Sequence, residues 1–368
     1  MHSTLKIFMG SFIVTIVSLA VALVYGGPAA LFTAFILGIL EVSLSFDNAV
    51  VNARILNRMS EFWQKMFLTV GIIIAVFGMR IVFPLLLVGI TAHLNPVEAV
   101  TLALEKGNPE TPGTYGYILH EAHPQIAGFG GMFLVMLFLD YIFEERDVRW
   151  IPGVERALGW FGKLSGASFL VALGLLLAAG LLDPEHTQTV LISGVLGMGT
   201  YLLVNGLGSL FESDDEDEVK IPGKQSALVK VTGKAAFFLF LYLEVLDASF
   251  SFDGVIGAFA ITSDPIIIAL GLGLIGAMFV RSLTVYFVRT GTLKTYVYLE
   301  HGAHWAIGAL AIILLLTISL DINEIVTGLI GIVFIGAAFI SSIVRNKREK
   351  AGKIAPENQI TDPEVPVN

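Results

Sequence analysis

A chain of 368 residues in which 55% are hydrophobic and 14% charged cannot surround a soluble domain with water-facing side chains, because soluble domains carry roughly 25% charged residues. The net charge of −9 is concentrated in short segments, no basic cluster typical of nucleic-acid binding occurs, and the absence of cysteine excludes disulfides and cysteine metal sites. With a mean hydropathy of +0.80, the chain is predicted to be an integral membrane protein.

Ten apolar segments approach the length of about 20 residues that crosses a bilayer, and each is predicted to be a transmembrane helix. The segments are 5–25, 30–52, 67–90, 126–143, 166–182, 188–211, 235–262, 265–288, 303–320 and 325–344. We expect the first to be a retained anchor, because Tyr25-Gly26-Gly27-Pro28 is a poor cleavage site for a signal peptide. The predicted fold class is therefore all-α, a polytopic membrane protein.

The distribution of lysine and arginine among the loops predicts the direction in which each span crosses the membrane. With ten spans, 19 of the 22 basic residues fall in loops and termini on one side of the membrane, and Lys106 falls on the other. The remaining two, Arg80 and Arg281, lie inside spans. Because cytoplasmic loops are enriched in lysine and arginine, both termini are predicted to be cytoplasmic.

Two motifs occur twice in the same order. Residues 41–48 (Glu-Val-Ser-Leu-Ser-Phe-Asp-Asn) reappear as residues 247–254 (Asp-Ala-Ser-Phe-Ser-Phe-Asp-Gly), and residues 114–123 match residues 295–304. Between its two motifs each copy has one intramembrane arginine. The chain is therefore predicted to contain two five-helix repeats, and the odd number of spans inverts the second repeat, as in many secondary transporters.

The duplication sets the predicted domain boundaries. Residues 1–183 form the first repeat, 184–211 the first helix of the second, 212–234 a cytoplasmic linker, 235–348 the rest of the second repeat, and 349–368 a disordered cytoplasmic tail. The linker begins with the acidic run 212–218, which is interpreted as a solvated connection or, alternatively, as a weak cation-gathering surface.

Five carboxylates fall within predicted spans, where a charged side chain costs at least about 2.5 kcal/mol and usually faces a cavity. They are Glu41, Asp47, Glu244, Asp247 and Asp253. Two intramembrane arginines cannot neutralise five acids, so a bound cation is favoured over the alternative of purely structural ion pairs. The predicted metal ligands are Glu41, Asp47, Asn48, Asp247, Asp253, Ser45 and Ser251, with Arg80, Arg281 and Glu244 tuning the charge. Such oxygen ligands suit Mn²⁺, Mg²⁺ or Ca²⁺.

Two backbone geometries could present these ligands. In a straight helix, Glu41, Ser45, Asn48 and Asn52 share one face. In an unwound stretch, alternate residues of 41–47 and of 247–253 point the same way, and the freed carbonyls could also bind the ion. Serines weaken helix interiors, so partial unwinding is expected.

The second repeated block places His120 and His123, or His301 and His304, one helical turn apart. An aspartate, Asp140 or Asp321, follows each pair by seventeen residues. These groups could relay ions or protons at the two membrane surfaces. The alternative is interfacial hydrogen bonding beside an aromatic belt of tyrosines.

Nucleotide chemistry is not expected. Gly271-x-Gly273-x-x-Gly276 formally matches a dinucleotide motif, but it lies within an apolar span, where glycines allow close helix packing. No Walker A motif occurs, which argues against an ATP site, and no nucleophile–base pair stands out. We therefore predict neither an enzyme nor a cofactor.

The motifs resemble those of a known family. Glu41-x-x-Leu-Ser-x-Asp-Asn resembles the first signature of the TerC family of bacterial integral membrane proteins, grouped with LysE-type exporters. Residues 247–253, followed by 259–265, Arg281 and Tyr298-Leu299, resemble the second signature, and the long form of the chain resembles the DUF475 branch. Two departures are Gly254, where the family usually has Ser or Asn, and the paired histidine blocks.

The resemblance implies residence in the bacterial inner membrane, export of Mn²⁺ or Ca²⁺, and an association with tellurite resistance. The first hypothesis is therefore a Mn²⁺ exporter that works by alternating access, with the bilayer and the ion as its partners and without nucleic acid. The alternatives are a non-transporting scaffold or sensor of tellurite or metal stress, and an exporter of an organic solute. The oligomeric state is left open.

Overall fold

The computed structural model describes residues 2–108, 110–146, 148–216, 231–262, 264–320, 322 and 324–351. Throughout these ranges the regular structure is helical, apart from an isolated parallel bridge between Met59 and Val231. The predicted all-α class is thus confirmed. Asp321, most of the predicted linker and nearly all of the predicted tail lie outside the described residues.

The helices follow one another with short connections. Their bounds are α1 (His2–Leu44), α2 (Phe46–Arg58), α3 (Glu61–Ile90), α4 (Pro96–Leu104), α5 (Tyr115–Glu121), α6 (His123–Phe143), α7 (Pro152–Phe161), α8 (Ala167–Leu182), α9 (Thr187–Glu216), α10 (Gly233–Ile261), α11 (Pro265–Thr290), α12 (Leu299–Leu316) and α13 (Glu324–Lys350). A short helical turn, Thr292–Thr295, connects α11 to α12.

Helices occur at all ten positions that the sequence predicted to span the membrane. Within the described residues, seven are long and apolar enough to cross a bilayer: α1, α3, α6, α9, α11, α12 and α13. The helix α8 is apolar but has only 16 residues. Seven such helices define a multi-pass arrangement, whereas the count of ten spans stays a prediction.

The long helix α1 contains a kink that divides it into two segments. Gly27 adopts φ 73° and ψ −166°, a backbone conformation that side chains disfavour, and Pro28 follows it. The two segments correspond to the first predicted span and most of the second.

Contacts between connecting segments define two ends of the helical bundle. At the first, called the Lys106 end, the Lys106 ammonium lies 2.7 Å from Asp264 Oδ2 and 2.6 Å from the Tyr25 hydroxyl. At the second, called the Arg54 end, Arg54 Nη1 lies 2.9 Å from Glu300 Oε1. These groupings are those that ten alternating spans would produce.

Helices that the duplication makes equivalent contact each other. The contacting pairs are α3 with α11, α6 with α12, and α2 with α10. A two-fold axis between the repeats would generate such pairs, although inverted repeats stay a prediction. The helix α6 lies at the centre of one half of the core and packs against α8, α9, α10 and α12.

The contact of α1 with α11 depends on glycine. A Cβ atom at Gly271 would lie 2.6 Å from the Ala34 carbonyl oxygen, and one at Gly276 would collide with the Glu41 side chain. The assignment of this glycine motif to close helix packing is therefore confirmed. Both α3 and α11 contain π-helical turns, at Phe67–Gly71, Ile74–Val82 and Ala269–Gly276, a feature frequent at functional sites.

We predict that Gly271→Ala lowers the free energy of unfolding by about 1–3 kcal/mol, because the new methyl group meets backbone atoms of α1 that cannot move aside. Gly174→Ala is the matched control, since no atom lies within 4 Å of a Cβ placed there. Thermal unfolding in detergent provides the measurement. Equal midpoints for the two variants would contradict the packing argument.

Candidate ion site at the acidic motifs

The backbone at the acidic motifs is more regular than the sequence predicted. In the first motif only Ser45 departs from helix, and the i→i−4 bonding continues through it, with Ser45 N donating to Glu41 O at 2.9 Å and Ala49 N to Ser45 O at 3.1 Å. In the second motif α10 is continuous. The expectation of an unwound stretch is therefore wrong for the second motif, and in the first the interruption is limited to Ser45.

In the second motif one serine hydroxyl is accommodated within the helix. The Ser249 hydroxyl donates to the Val245 carbonyl oxygen at 2.9 Å, so it binds back to its own helix instead of competing with helical bonding. In the first motif the helical hydrogen bonds on either side of Ser45 leave the polar groups with the straight-helix spacing.

Glu41 is paired with one of the two intramembrane arginines. Its carboxylate is 1% exposed, and its Oε1 accepts hydrogen bonds from Arg80 Nη2 and, at 3.0 Å, from the Ser45 hydroxyl. Arg80 Nη1 also donates to the Ala75 carbonyl oxygen at 2.6 Å. The contacts of Glu41 are therefore those expected from the alternative in which a buried acid forms a structural ion pair with an arginine.

The two acidic motifs meet through a direct hydrogen bond. Asn48 Nδ2 of the first motif donates to Asp247 Oδ1 of the second at 2.6 Å, and both side chains are buried. Asp47, 3% exposed, accepts a hydrogen bond from the Asn48 backbone amide at 3.0 Å. The expectation that the two motifs face each other is confirmed for these residues.

Several buried polar atoms beside this contact have no hydrogen-bond partner. They include three acceptor oxygens, Asn48 Oδ1, Asn52 Oδ1 and Glu244 Oε1. Asn52, Glu244 and Asp247 line a cavity of about 40 Å³, together with Arg80, Arg281 and apolar residues of α3 and α11. A volume of about 10–15 Å³ suffices for one water molecule, so this polar cavity can hold water or an ion.

Other predicted ligands do not complete a metal site among the side chains described. Asp253 and Ser251 lie within α10, but their side chains are outside the described set. Within that set no three His, Asp or Glu side chains come close enough together to hold a metal ion. The described geometry therefore brings together Asn48 and Asp247, with Glu41 engaged by Arg80.

Two residues beside the site, Asn52 and Gly71, are not among the ligands predicted from the sequence. Asn52 lies on the face that Glu41, Ser45 and Asn48 share in a straight helix, so the helical spacing alone could have found it. Gly71 carried no such signal: a Cβ there would lie 2.5 Å from Glu244 Oε1, so its lack of a side chain makes room for the carboxylate.

Gly254 has a comparable explanation. A Cβ atom at this position would lie 3.1 Å from Glu41 Oε2. The departure from the expected Ser or Asn therefore leaves space beside the Glu41 carboxylate.

The histidine blocks lie at opposite ends of the bundle. At the Lys106 end, His120 is exposed and His123 Nε2 lies 3.3 Å from the Thr317 hydroxyl. At the Arg54 end, His301 Nδ1 lies 3.3 Å from Glu155 Oε1, whereas the His304 ring stacks on Tyr141 with centroids 3.5 Å apart.

The members of the Arg54-end histidine pair thus have different partners, and His304 Nδ1 also lies 2.8 Å from the Glu300 carbonyl oxygen, a contact that agrees with the hydrogen-bonding alternative. Asp140 accepts a hydrogen bond from the Tyr201 hydroxyl at 2.9 Å. The relay stays a prediction.

A network of charges and rings surrounds Tyr141 at the Arg54 end. The Arg146 guanidinium lies 3.9 Å from the Tyr141 ring centroid and the Arg54 guanidinium 5.3 Å from it, and both arginines contact Glu300. The network fixes the ends of α2, α6 and α12 relative to one another.

The long apolar helices and the buried polar cavity between them define a multi-pass α-helical membrane protein. The chain belongs to the DUF475 family, described as "Protein of unknown function", whose family model matches residues 46–349. That match contains the second acidic motif but begins after Glu41 and Ser45. Neither the curated proteins nor the solved structures contain a significant match to the chain.

We predict that Asn48→Ala destabilises the fold by about 1–3 kcal/mol, because it leaves the buried Asp247 oxygen without its donor. Asn52→Ala, on the same helix face, removes an amide oxygen that has no partner, so we expect it to destabilise the fold less than Asn48→Ala does. Unfolding of both variants in detergent gives the comparison. A larger loss for Asn52→Ala would count against the importance of the contact between the motifs.

The surroundings of Glu155, on the short helix α7 outside the spanning segments, lead us to predict that the stability of the fold depends on pH. Burial raises the pKa of Glu155, but the hydrogen bond and positive charge of His301 and a hydrogen bond from Trp305 outweigh burial, so the net pKa is below the ordinary 4.5. A lowered pKa stabilises the fold above the unfolded-state pKa, and this contribution is lost as the pH falls through the folded-state value.

We therefore expect the melting temperature of the parent protein to fall more steeply than that of Glu155→Gln as the pH drops from about 6 to about 3.5. Glu185→Gln, at an exposed position between α8 and α9, serves as a control for general acid effects. Parallel curves for the parent and Glu155→Gln would refute the assigned role of the carboxylate.

Proposed function

We propose that the protein is a divalent-cation exporter of the bacterial inner membrane, with Mn²⁺ as the favoured ion and Ca²⁺ as the second. The observation that carries the proposal is the group of unpartnered acceptor oxygens beside Asp247, where the two acidic motifs meet. An acceptor without a donor in a buried cavity is stabilised by a cation or by water.

The local charge supports a cation. Arg80 forms an ion pair with Glu41, which leaves Asp47, Glu244 and Asp247 to be balanced. Apart from Arg80, the charged residues in the described lining of the cavity are Glu244, Asp247 and Arg281, and Asp47 is not part of that lining. Uncompensated negative charge in a low-dielectric interior favours the binding of a positive ion.

The chemistry of the donor set supports a hard divalent ion. Carboxylate, amide and hydroxyl oxygens are the preferred ligands of Mn²⁺, Mg²⁺ and Ca²⁺, and the chain has no cysteine to favour softer metals. The resemblance of both motifs to the TerC signatures favours Mn²⁺ among these ions. In this proposal Asp253, Ser251 and Ser45 complete the ligand set around Asp47, Asn48 and Asp247.

The proposed mechanism is alternating access between two inverted repeats of five spans each. The Arg54 end faces the cytoplasm, with both termini on that side, because it contains most of the basic residues. Exchange with protons provides the coupling, since neighbouring buried carboxylates repel one another when both are ionised. Neither ATP nor a catalytic step is involved.

Two observations favour rival functions. The Glu41–Arg80 pair, completely buried, is what a non-transporting scaffold or stress sensor would use as a structural connection. A second cavity of about 240 Å³, apolar except for Tyr115 and Arg80, could accept an organic solute with an anionic group.

Flux of Mn²⁺, Ca²⁺ and Mg²⁺ in proteoliposomes tests the proposal. We expect Mn²⁺ flux in the parent and at least a tenfold reduction in Asp47→Asn with Asp247→Asn, because neutral side chains cannot balance the ion. Asp183→Asn, at a loop far along the chain from both motifs, is the control.

Unchanged flux in a folded double variant would reject the site. The absence of flux in the parent, together with destabilisation by the same substitutions, would favour the scaffold. Flux of organic anions instead of metals would favour the third function.

A further inference from the structure

Two cavities lie on opposite sides of Arg80. The first is the polar cavity of about 40 Å³, which extends towards the Arg54 end through Asn52 and Thr284. The second, of about 240 Å³, lies towards the Lys106 end, where Val100 and Leu104 of α4 and the first residues of α11 line it. Among the described lining residues, Arg80 is the one that the two cavities share.

The Arg80 side chain is held firmly at this boundary. It is 2% exposed, and its guanidinium binds both Glu41 Oε1 and the Ala75 carbonyl oxygen. Glu41 is itself fixed by the Ser45 hydroxyl and by the close approach of Gly276. The positive charge therefore has a defined position between the two cavities.

A fixed positive charge blocks a cation at this position. Arg80 lines both cavities and Glu41 is not among the described lining residues of either, so a cation that approaches from the second cavity meets the positive end of the pair, which Glu41 offsets only in part. The described lining of the second cavity contains no carboxylate to offset this repulsion. A cation in the first cavity is therefore separated from the Lys106 end.

We infer that the Arg80–Glu41 pair is the gate of the ion path on the side of the Lys106 end, closed in this structure. The inference rests on the proposed function, since a gate requires a path. Opening separates Arg80 from Glu41 and joins the two cavities. Arg281, which lines only the first cavity, has no part in this barrier.

The surrounding helices provide a place where such a movement can occur. Arg80 lies in the π-helical segment Ile74–Val82, and a Cβ at Gly273, in the π-helical segment of α11, would lie 3.7 Å from Arg80 Cδ. Two π-helical segments thus meet at the gate, and such segments occur often where a helix has a functional role.

The absence of cysteine allows a direct test with single-cysteine reporters. Thr284→Cys reports on the first cavity and Val100→Cys on the second, and Ag⁺ in chloride-free buffer serves as a small cationic probe. It is added to one side of proteoliposomes, and the thiols left unmodified are then counted with a maleimide after denaturation. Lys163→Cys and Val97→Cys, both at exposed positions, establish which side is which.

With Arg80 and Glu41 intact, we expect Thr284→Cys to react from the Arg54 side and Val100→Cys from the Lys106 side. When Arg80→Ala and Glu41→Gln are added, Thr284→Cys should react from the Lys106 side at least about tenfold faster, because the repelling charge is gone. Arg281→Ala, the matched control, should leave that rate unchanged. If the variant with Arg80→Ala does not purify as a folded protein, the variant with Arg80→Gln and Glu41→Gln is used instead, because it removes the charges but retains hydrogen bonding and similar bulk.

Three results would overturn the gate. They are equal reaction of Thr284→Cys from both sides in the otherwise unaltered chain, an unchanged rate in a folded Arg80 variant, and an equal increase with Arg281→Ala. The assay requires no metal transport, so its outcome is separate from that of the flux measurement. If the barrier is closed but the protein shows no Mn²⁺ flux, the assignment of the gate residues stands and the proposed export function is rejected.

Discussion

A carboxylate buried among apolar helices is stable only if a donor, a positive side chain or an ion balances it, and this constraint organises the centre of the protein. Glu41 and Asp247 are balanced in different ways. Glu41 receives a guanidinium and a hydroxyl, whereas the Asp247 contact described is the amide of Asn48 from the other acidic motif. The site therefore combines one acid that is paired with an arginine and another whose described contact is a neutral amide.

The glycines determine how closely these groups can approach one another. Gly276 admits the Glu41 side chain against α11, Gly254 leaves space beside its second oxygen, and Gly71 does the same for Glu244 on α3. A small residue on one helix thus corresponds to an acid on its neighbour. Packing and electrostatics depend on the same positions, so a methyl group at one of them would affect both.

Much of the helical arrangement could be predicted from the sequence, because apolar length and the Gly-Gly-Pro signal after Tyr25 are local properties. The meeting of the two acidic motifs was also predictable, since it follows from the duplication. The pairing of Glu41 with Arg80 was not, because helical periodicity does not specify which arginine a buried acid will contact. The expected unwinding was wrong for the second motif, where the helix is continuous and the Ser249 hydroxyl bonds within it, and in the first motif it is limited to Ser45. The histidine pairs were open to two readings, since spacing alone does not show that His301 contacts Glu155 and His304 contacts Tyr141.

The isolated bridge between Met59 and Val231 joins the end of α2 to the segment that leads into α10. Val231 N donates to Arg58 O at 2.8 Å, and Ser60 N donates to Val231 O at 3.0 Å. The two helices that contribute the acidic motifs are thereby fastened at their Arg54 ends. Any rotation that separates them pivots about this fastening, and the largest displacement falls at the opposite tips of the two helices.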